Sequence, residues 1–157
     1  MLVIISASWV FSANEIGEVS VRVEYVDLLD APTSAELTLT QDVAGETTYD
    51  TASLVQADAL RYCHNSSNSK KITATALPTS GGGSDITLRL AVEGSDEVIL
   101  VDGGDTLVDV PVWTDIPAGG YTMDLLWKAD GTLAETTAGA NIGKKYEWQV
   151  MFTSSDN

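Results

Sequence analysis

The sequence predicts an all-β domain, a sandwich or a barrel, on three observations. Apolar residues recur with a period of two, turn-forming clusters punctuate the runs at short intervals, and helical spacing is nearly absent. The 157 residues suit one domain. A hydrophobic fraction of 44% is enough for a core and too high for a disordered chain.

The first eleven residues, MLVIISASWVF, are apolar almost throughout and carry no charge. As a strand buried on both faces, they place Leu2, Ile4 and Val10 on one side. Val3, Ile5, Ala7, Trp9 and Phe11 then lie on the other. Such a strand has two homes: its own domain, or a groove on a neighbouring copy that lacks one strand. Residues 12–17 would be the hinge by which it leaves. A secretion signal is a third reading, but the first basic residue is Arg22, and Phe11 falls at the −3 position for a cut after Ala13. The organisation expected is an N-terminal strand over 1–13 and a β domain over 14–157.

The strongest strands follow in order. Val19, Val21, Val23 and Tyr25 alternate with polar residues, as do Ile86, Leu88, Leu90 and Val92. Tyr121, Met123, Leu125 and Trp127 repeat the pattern, and so do Tyr146, Trp148, Val150 and Phe152. Each run has one apolar face, so Trp127 and Trp148 are expected in the core. Weaker alternation marks Glu36–Thr40, Leu60–His64, Lys71–Leu77, Val98–Val101 and Thr106–Trp113. Between them lie turn clusters such as Asn65–Ser69, Glu93–Asp96, Asp102–Asp105 and Pro117–Gly120. Asp102-Gly103 is expected to close a tight hairpin between Val98–Val101 and Thr106–Val112. Thr51–Leu60 alone has apolar residues near helical spacing (Ala52, Leu54, Val55, Ala59), enough for one or two turns. Residues 132–143 read as a long polar loop.

Charge and composition restrict function. With 23 acidic and 8 basic residues the formal net charge is −15. That argues against nucleic acid and against an anionic membrane surface, both of which need clustered Lys and Arg. No apolar run approaches the ~20 residues of a spanning helix, so no membrane partner is expected for the mature chain. One Cys and one His exclude an intrachain disulfide and a cysteine zinc cage. No catalytic residue, metal site or cofactor is expected. Cys63 and His64 are adjacent, so on one strand they point to opposite faces and form no nucleophile–base pair. The expectation is a small buried Cys and a His that faces solvent or caps a turn. Asp102, Asp105 and Asp109 surround a Gly-Gly turn but lack the spacing of a calcium loop, and a solvated turn is expected.

Three features suit contact with other molecules. Trp113 follows the mixed face of its strand, where an exposed indole would stack on a sugar ring or sit in an interface. Lys70-Lys71 and Lys144-Lys145 hold half of the basic residues, and each pair suits an acidic face of a neighbouring copy. Asn65-Ser66-Ser67 matches the N-glycosylation acceptor pattern on an expected hairpin loop. The acidic surface itself discourages nonspecific sticking and also suits a saline medium.

Two pairs of segments carry a family resemblance. Leu60-Arg61-Tyr62-Cys63-His64-Asn65 with Lys70-Lys71-Ile72-Thr73-Ala74-Thr75 resembles the strand, Asn-rich turn and strand of small exported β-sandwich proteins of bacteria and archaea. The run Ile116-Pro117-Ala118-Gly119-Gly120-Tyr121-Thr122-Met123-Asp124-Leu125-Leu126-Trp127, with the closing strand Tyr146–Thr153, is similar to the same proteins. It is also similar to spore-coat-U-like and chaperone–usher pilin domains and to camelysin-like biofilm fibre subunits. The resemblance spans Leu60–Thr153 and implies a single immunoglobulin-like or jelly-roll β-sandwich of about eight or nine strands. It further implies export to the cell surface and assembly into fibres by strand donation. The cysteine pair of pilin domains is absent here.

The expected function is therefore a structural subunit of an extracellular filament, with copies of itself as partner. The alternative is a monomeric binding module, for carbohydrate, or a virion surface protein.

Overall fold

The computed structural model describes residues 22–32, 34–40, 50–80, 86–131 and 147–157. Nine strands lie among them: β1 (Asp27–Asp30), β2 (Ala52–His64), β3 (Lys70–Ser80), β4 (Ile86–Val92), β5 (Val98–Asp102), β6 (Asp105–Thr106), β7 (Val110–Ile116), β8 (Gly119–Gly131) and β9 (Glu147–Asp156). No described residue is helical. The strands form two antiparallel sheets. One has three strands in the order β9-β3-β7, and the other has six in the order β1-β2-β8-β4-β5-β6.

Alternation along β4 shows why this arrangement forms. Ile86, Leu88, Leu90 and Val92 are buried, while Thr87, Arg89 and Ala91 are partly exposed. β4 runs beside β8 in unbroken register, Leu90 opposite Trp127 and Val92 opposite Leu125. Ile72, Ala74 and Ala76 of β3 and Val112 and Ile116 of β7 join these residues in one hydrophobic cluster. Both sheets thus share a single core. On the outer face of the larger sheet, Arg89 pairs with Asp130 and Glu97, and Lys128 pairs with Glu97.

The weak helical spacing of Thr51–Leu60 is not realised: the segment enters β2. Ala52–Gln56 pairs with β8, Leu54 opposite Trp127 and Gln56 opposite Leu125, and Leu60 then faces Met123. Four residues on β2 therefore span two on β8, a bulge. Because the insertion is even, Gln56 and Leu60 stay on the same face of the sheet. Asp58 takes φ 52° within the bulge, and its N–H donates to Asp124 Oδ1 at 2.9 Å. The irregular spacing that mimics a helix is this bulge, and pairing with β8 overrides the weak local pattern.

Three other expectations change. Of the expected strand from Val19 to Tyr25, Val19 and Val21 lie outside the described residues; Arg22–Val26 is not a strand, and Val23 is 81% exposed. Its backbone is captured by Asn65: the Val26 N–H donates to Asn65 Oδ1 at 2.8 Å, and Asn65 Nδ2 donates to the Glu24 carbonyl at 2.7 Å. Among the described residues of this stretch, ladder pairing begins at β1. Residues 36–39 make no ladder either, and Thr40 forms a single bridge to Asp50. Leu37 and Leu39 still pack against the core. The expected strand Thr106–Trp113 is divided, because the chain leaves the larger sheet after β6 and joins the smaller one at β7. Asp109 turns that corner with φ 50°; its N–H donates to Thr75 Oγ1 at 2.9 Å. The hairpin between β5 and β6 forms as expected, with Gly103 and Gly104 at φ 56° and 91°.

Candidate functional site

A polar cluster centred on the buried Lys70 joins the two sheets where β1, β3 and β9 meet. β1 brings Asp27, β3 brings Lys70, and β9 brings Ser154 and Asp156. Lys70 is the first residue of β3 and is only 6% exposed. Its ammonium lies 2.8 Å from Asp156 Oδ1 and 3.2 Å from Asp27 Oδ2. It also donates to the Tyr25 hydroxyl at 2.9 Å and lies 5.6 Å from the centre of that ring. The Tyr25 hydroxyl donates in turn to Asp27 Oδ2 at 2.9 Å, and Ser154 Oγ donates to Asp27 Oδ1 at 2.8 Å. One cation and two carboxylates thus clasp the sheets together.

The electrostatics follow from this geometry. Burial alone would raise the Asp27 carboxyl, but the bonds from Ser154, Tyr25 and Lys70 outweigh it and hold the group down at about 2. Bonding to Asp156 and Tyr25 raises Lys70 above its ordinary value, and Lys70 in return lowers Asp156. Burial, with the Asp27 carboxylate nearby, pushes the Tyr62 phenol up to about 12. The Tyr62 hydroxyl is buried close to Asp27 and Ser154 without a hydrogen bond of normal geometry to either.

Lys70, which the sequence suits to an acidic face of a neighbouring copy, here meets two carboxylates of its own chain. Lys71 is partly exposed, on the next register position opposite Ser155. Cys63 and His64 do point to opposite faces, but with their expected surroundings exchanged. His64 is 3% exposed, its Nε2 sits 3.1 Å from the Ile116 carbonyl, and its ring lies 5.4 Å from that of Tyr62. Cys63 is partly exposed on the outer face, in an open depression of about 390 Å³ shared with Leu28, Arg61 and Gly120. The strand order explains the exchange, because His64 falls in phase with Leu60 and Tyr62.

Trp113 is half-buried against the core and meets Tyr121 edge to face at 5.2 Å, so it offers no open platform. Asn65 is exposed, but it lies on a connection between the two sheets, not on a hairpin. The nitrogen that would carry a glycan donates to Glu24. Asp102 and Asp105 face each other across the Gly103-Gly104 turn and are exposed. Among the described residues no three His, Cys, Asp or Glu side chains are grouped to hold a metal ion. The predicted polymerisation strand (Leu2, Val3, Ile4, Ile5, Ala7, Trp9, Val10 and Phe11) lies outside the described residues, as do Lys144 and Lys145.

The clasp was not legible in the sequence. Its only trace is a Lys at a strand start and an Asp near the chain end, which are ordinary features. Beside it, β9 is the outermost described strand on one side of the smaller sheet. Val150 and Phe152 of β9 pack against the core while remaining partly exposed. Among the described residues no helix is long and apolar enough to cross a membrane. No family model and no curated protein sequence matches this chain.

Proposed function

We propose that the chain is a structural subunit of an extracellular filament, built on an immunoglobulin-like β-sandwich and polymerised by its own N-terminal strand. In this reading residues 1–13 of one copy complete the smaller sheet of the next. The contact runs from tail to groove, so it does not close on itself and propagates as a linear polymer. Backbone ladder bonds supply affinity, while Val3, Ile5, Ala7, Trp9 and Phe11 supply register. No catalysis is involved.

The observation that carries the reading is the imbalance of the sheets. Three described strands face six across one core, and the inward Val150 and Phe152 of β9, the outermost described strand on its side, are only partly covered. An additional apolar strand would extend the smaller sheet and bury them. The first eleven residues supply such a strand: they are uncharged in a chain of net charge −15. The half-burial of Trp113 against Tyr121 weighs against a sugar-stacking module.

Electron microscopy of the native material, paired with sedimentation of a variant lacking residues 1–13, tests the reading. Filaments from the full chain and monomers from the deletion support it. Monodisperse particles from both would overturn it in favour of a monomeric binding module or virion surface protein.

A further inference from the structure

We infer that Asn65, Tyr25 and Lys70 anchor the segment Arg22–Val26 to the core, and that this anchor fixes the root from which residues 1–13 reach a neighbouring copy. This rests on the reading of the chain as a strand-donating subunit, and it names the residues that position the donor.

Apolar burial does little to hold Arg22–Val26. The segment is not a strand, and Val23 and Tyr25 are 81% and 64% exposed. Polar bonds hold it instead. The Asn65 N–H donates to the Val26 carbonyl at 3.1 Å, and the Val26 N–H donates to Asn65 Oδ1 at 2.8 Å. A hydrogen-bonded antiparallel pair exchanges the same two bonds between backbones. Here the side-chain oxygen of Asn65 stands in for its backbone carbonyl. The pairing that sets Asp27 opposite His64 is thereby carried one residue further, while the chain turns from β2 toward β3. Asn65 Nδ2 adds a bond to the Glu24 carbonyl at 2.7 Å. Both functions of the amide are used, and an aspartate in its place would set an acceptor against that carbonyl. The preceding residue, His64, is buried with Nε2 3.1 Å from the Ile116 carbonyl, so Asn65 itself stands on a fixed base.

Tyr25 carries the second hold. Its hydroxyl accepts from Lys70 Nζ at 2.9 Å, and its ring lies 5.6 Å from the same ammonium. Lys70 also meets Asp27 of β1 and Asp156 of β9. The segment is thus tied to both sheets. For a strand-donating subunit the consequence is mechanical. Residues 1–13 connect to the core through Arg22–Val26, so tension on a donated strand reaches this segment before β1. β1 has four residues, and so short a ladder pulled from one end opens bond by bond. The anchor stands ahead of β1 and passes the pull to Asn65 and Lys70 together.

Sedimentation of polymer after a fixed dose of shear, with hydrogen exchange at the Val26 amide, tests the assignment in the full chain. Asn65→Asp removes the donor to Glu24, and Tyr25→Phe removes the hydroxyl but keeps the ring. Two controls accompany them. Gly103→Ala strains the remote β5–β6 hairpin and shows what a general loss of stability does. Ser67→Ala abolishes the glycosylation pattern and leaves Asn65 in place. The expected result is exchange at Val26 ~10-fold faster in Asn65→Asp. Sedimentable polymer after shear should be lost in both anchor variants and kept in both controls. Where Asn65→Asp does not fold, Tyr25→Phe alone decides. Polymer that survives shear in either folded anchor variant, or that is lost equally in Gly103→Ala, overturns the anchor and leaves strand donation standing. Unchanged exchange at Val26 in Asn65→Asp overturns the capture by Asn65. Loss of polymer in Ser67→Ala assigns the effect to a glycan and overturns the anchor. Absence of any polymer from the wild type overturns strand donation itself, and the anchor's role with it.

Discussion

Asp27 and Asp156 hold one ammonium between them, and that arrangement gives stability a definite dependence on pH. The Asp27 carboxyl sits at about 2 in the fold against an ordinary 3.8. Its contribution is complete above 3.8 and is lost as pH falls toward about 2. Asp156 is lowered too and acts in the same direction. Lys70 is raised, and Tyr62 moves from an ordinary 10.0 to about 12, so their contributions are complete below 10.0 and fade above it. The clasp therefore steepens both limbs of a stability–pH profile. Thermal melts of Lys70→Met against the wild type should show a smaller difference at acid pH than at neutrality; an equal difference throughout would contradict the linkage. Tyr62→Phe removes a buried hydroxyl that lacks a good hydrogen bond, so it should leave the melting temperature unchanged or higher and weaken the alkaline limb. A loss of ~1 kcal/mol or more, the worth of a normal hydrogen bond, would show that the hydroxyl is satisfied.

Elements here are held by positions that only certain residues fill. The β5–β6 hairpin needs positive φ at Gly103, and a Cβ there meets nothing within 4 Å. Gly103→Ala should therefore lose stability through backbone strain alone, ~1–2 kcal/mol, read as a shift in the urea midpoint. At the β2 bulge, Trp127 Nε1 donates to Gln56 Oε1 at 2.7 Å, and Gln56 Nε2 donates to the Ser34 carbonyl at 2.7 Å. One side chain thus satisfies the indole and pins residues 34–40 over the core. Gln56→Leu should cost ~1–3 kcal/mol by leaving the indole N–H without its acceptor, and should red-shift Trp127 emission if water enters. An unchanged urea midpoint would show that another acceptor replaces Gln56.

Over the whole molecule, one core carries both sheets. Leu125 is fully buried in β8, the strand that joins β2 to β4, and Leu125→Ala should cost ~2–5 kcal/mol in denaturant unfolding. A cost below ~1 kcal/mol would mean that the cavity collapses or that the shared core is overestimated. The net charge of −15 opposes compaction through self-repulsion, and salt screens charges over ~10 Å at 0.1 M. The melting temperature should rise from low to moderate ionic strength; a fall would mean that the Arg89, Lys128 and Lys70 ion pairs outweigh the repulsion.

Local alternation was enough to determine the class and many of the faces. Ile86–Val92, Tyr121–Trp127 and the inward Val150 and Phe152 all follow from a period of two, because a pleated strand directs each side chain by its parity. The hairpin at Gly103-Gly104 was legible because glycine meets its positive φ without a Cβ. Tertiary structure alone decided which strands share a sheet and that the chain changes sheets at Leu107–Asp109. It also decided that Thr51–Leu60 extends along β8 and that Asn65 captures residues 24–26 before β1 begins. Lys70 shows the limit most clearly. Its position in sequence reads as a surface charge, and only the approach of Asp27 and Asp156, 43 and 86 residues away, makes it an internal clasp. Parity is a property of neighbouring residues; partnership is set by contacts between residues distant along the chain.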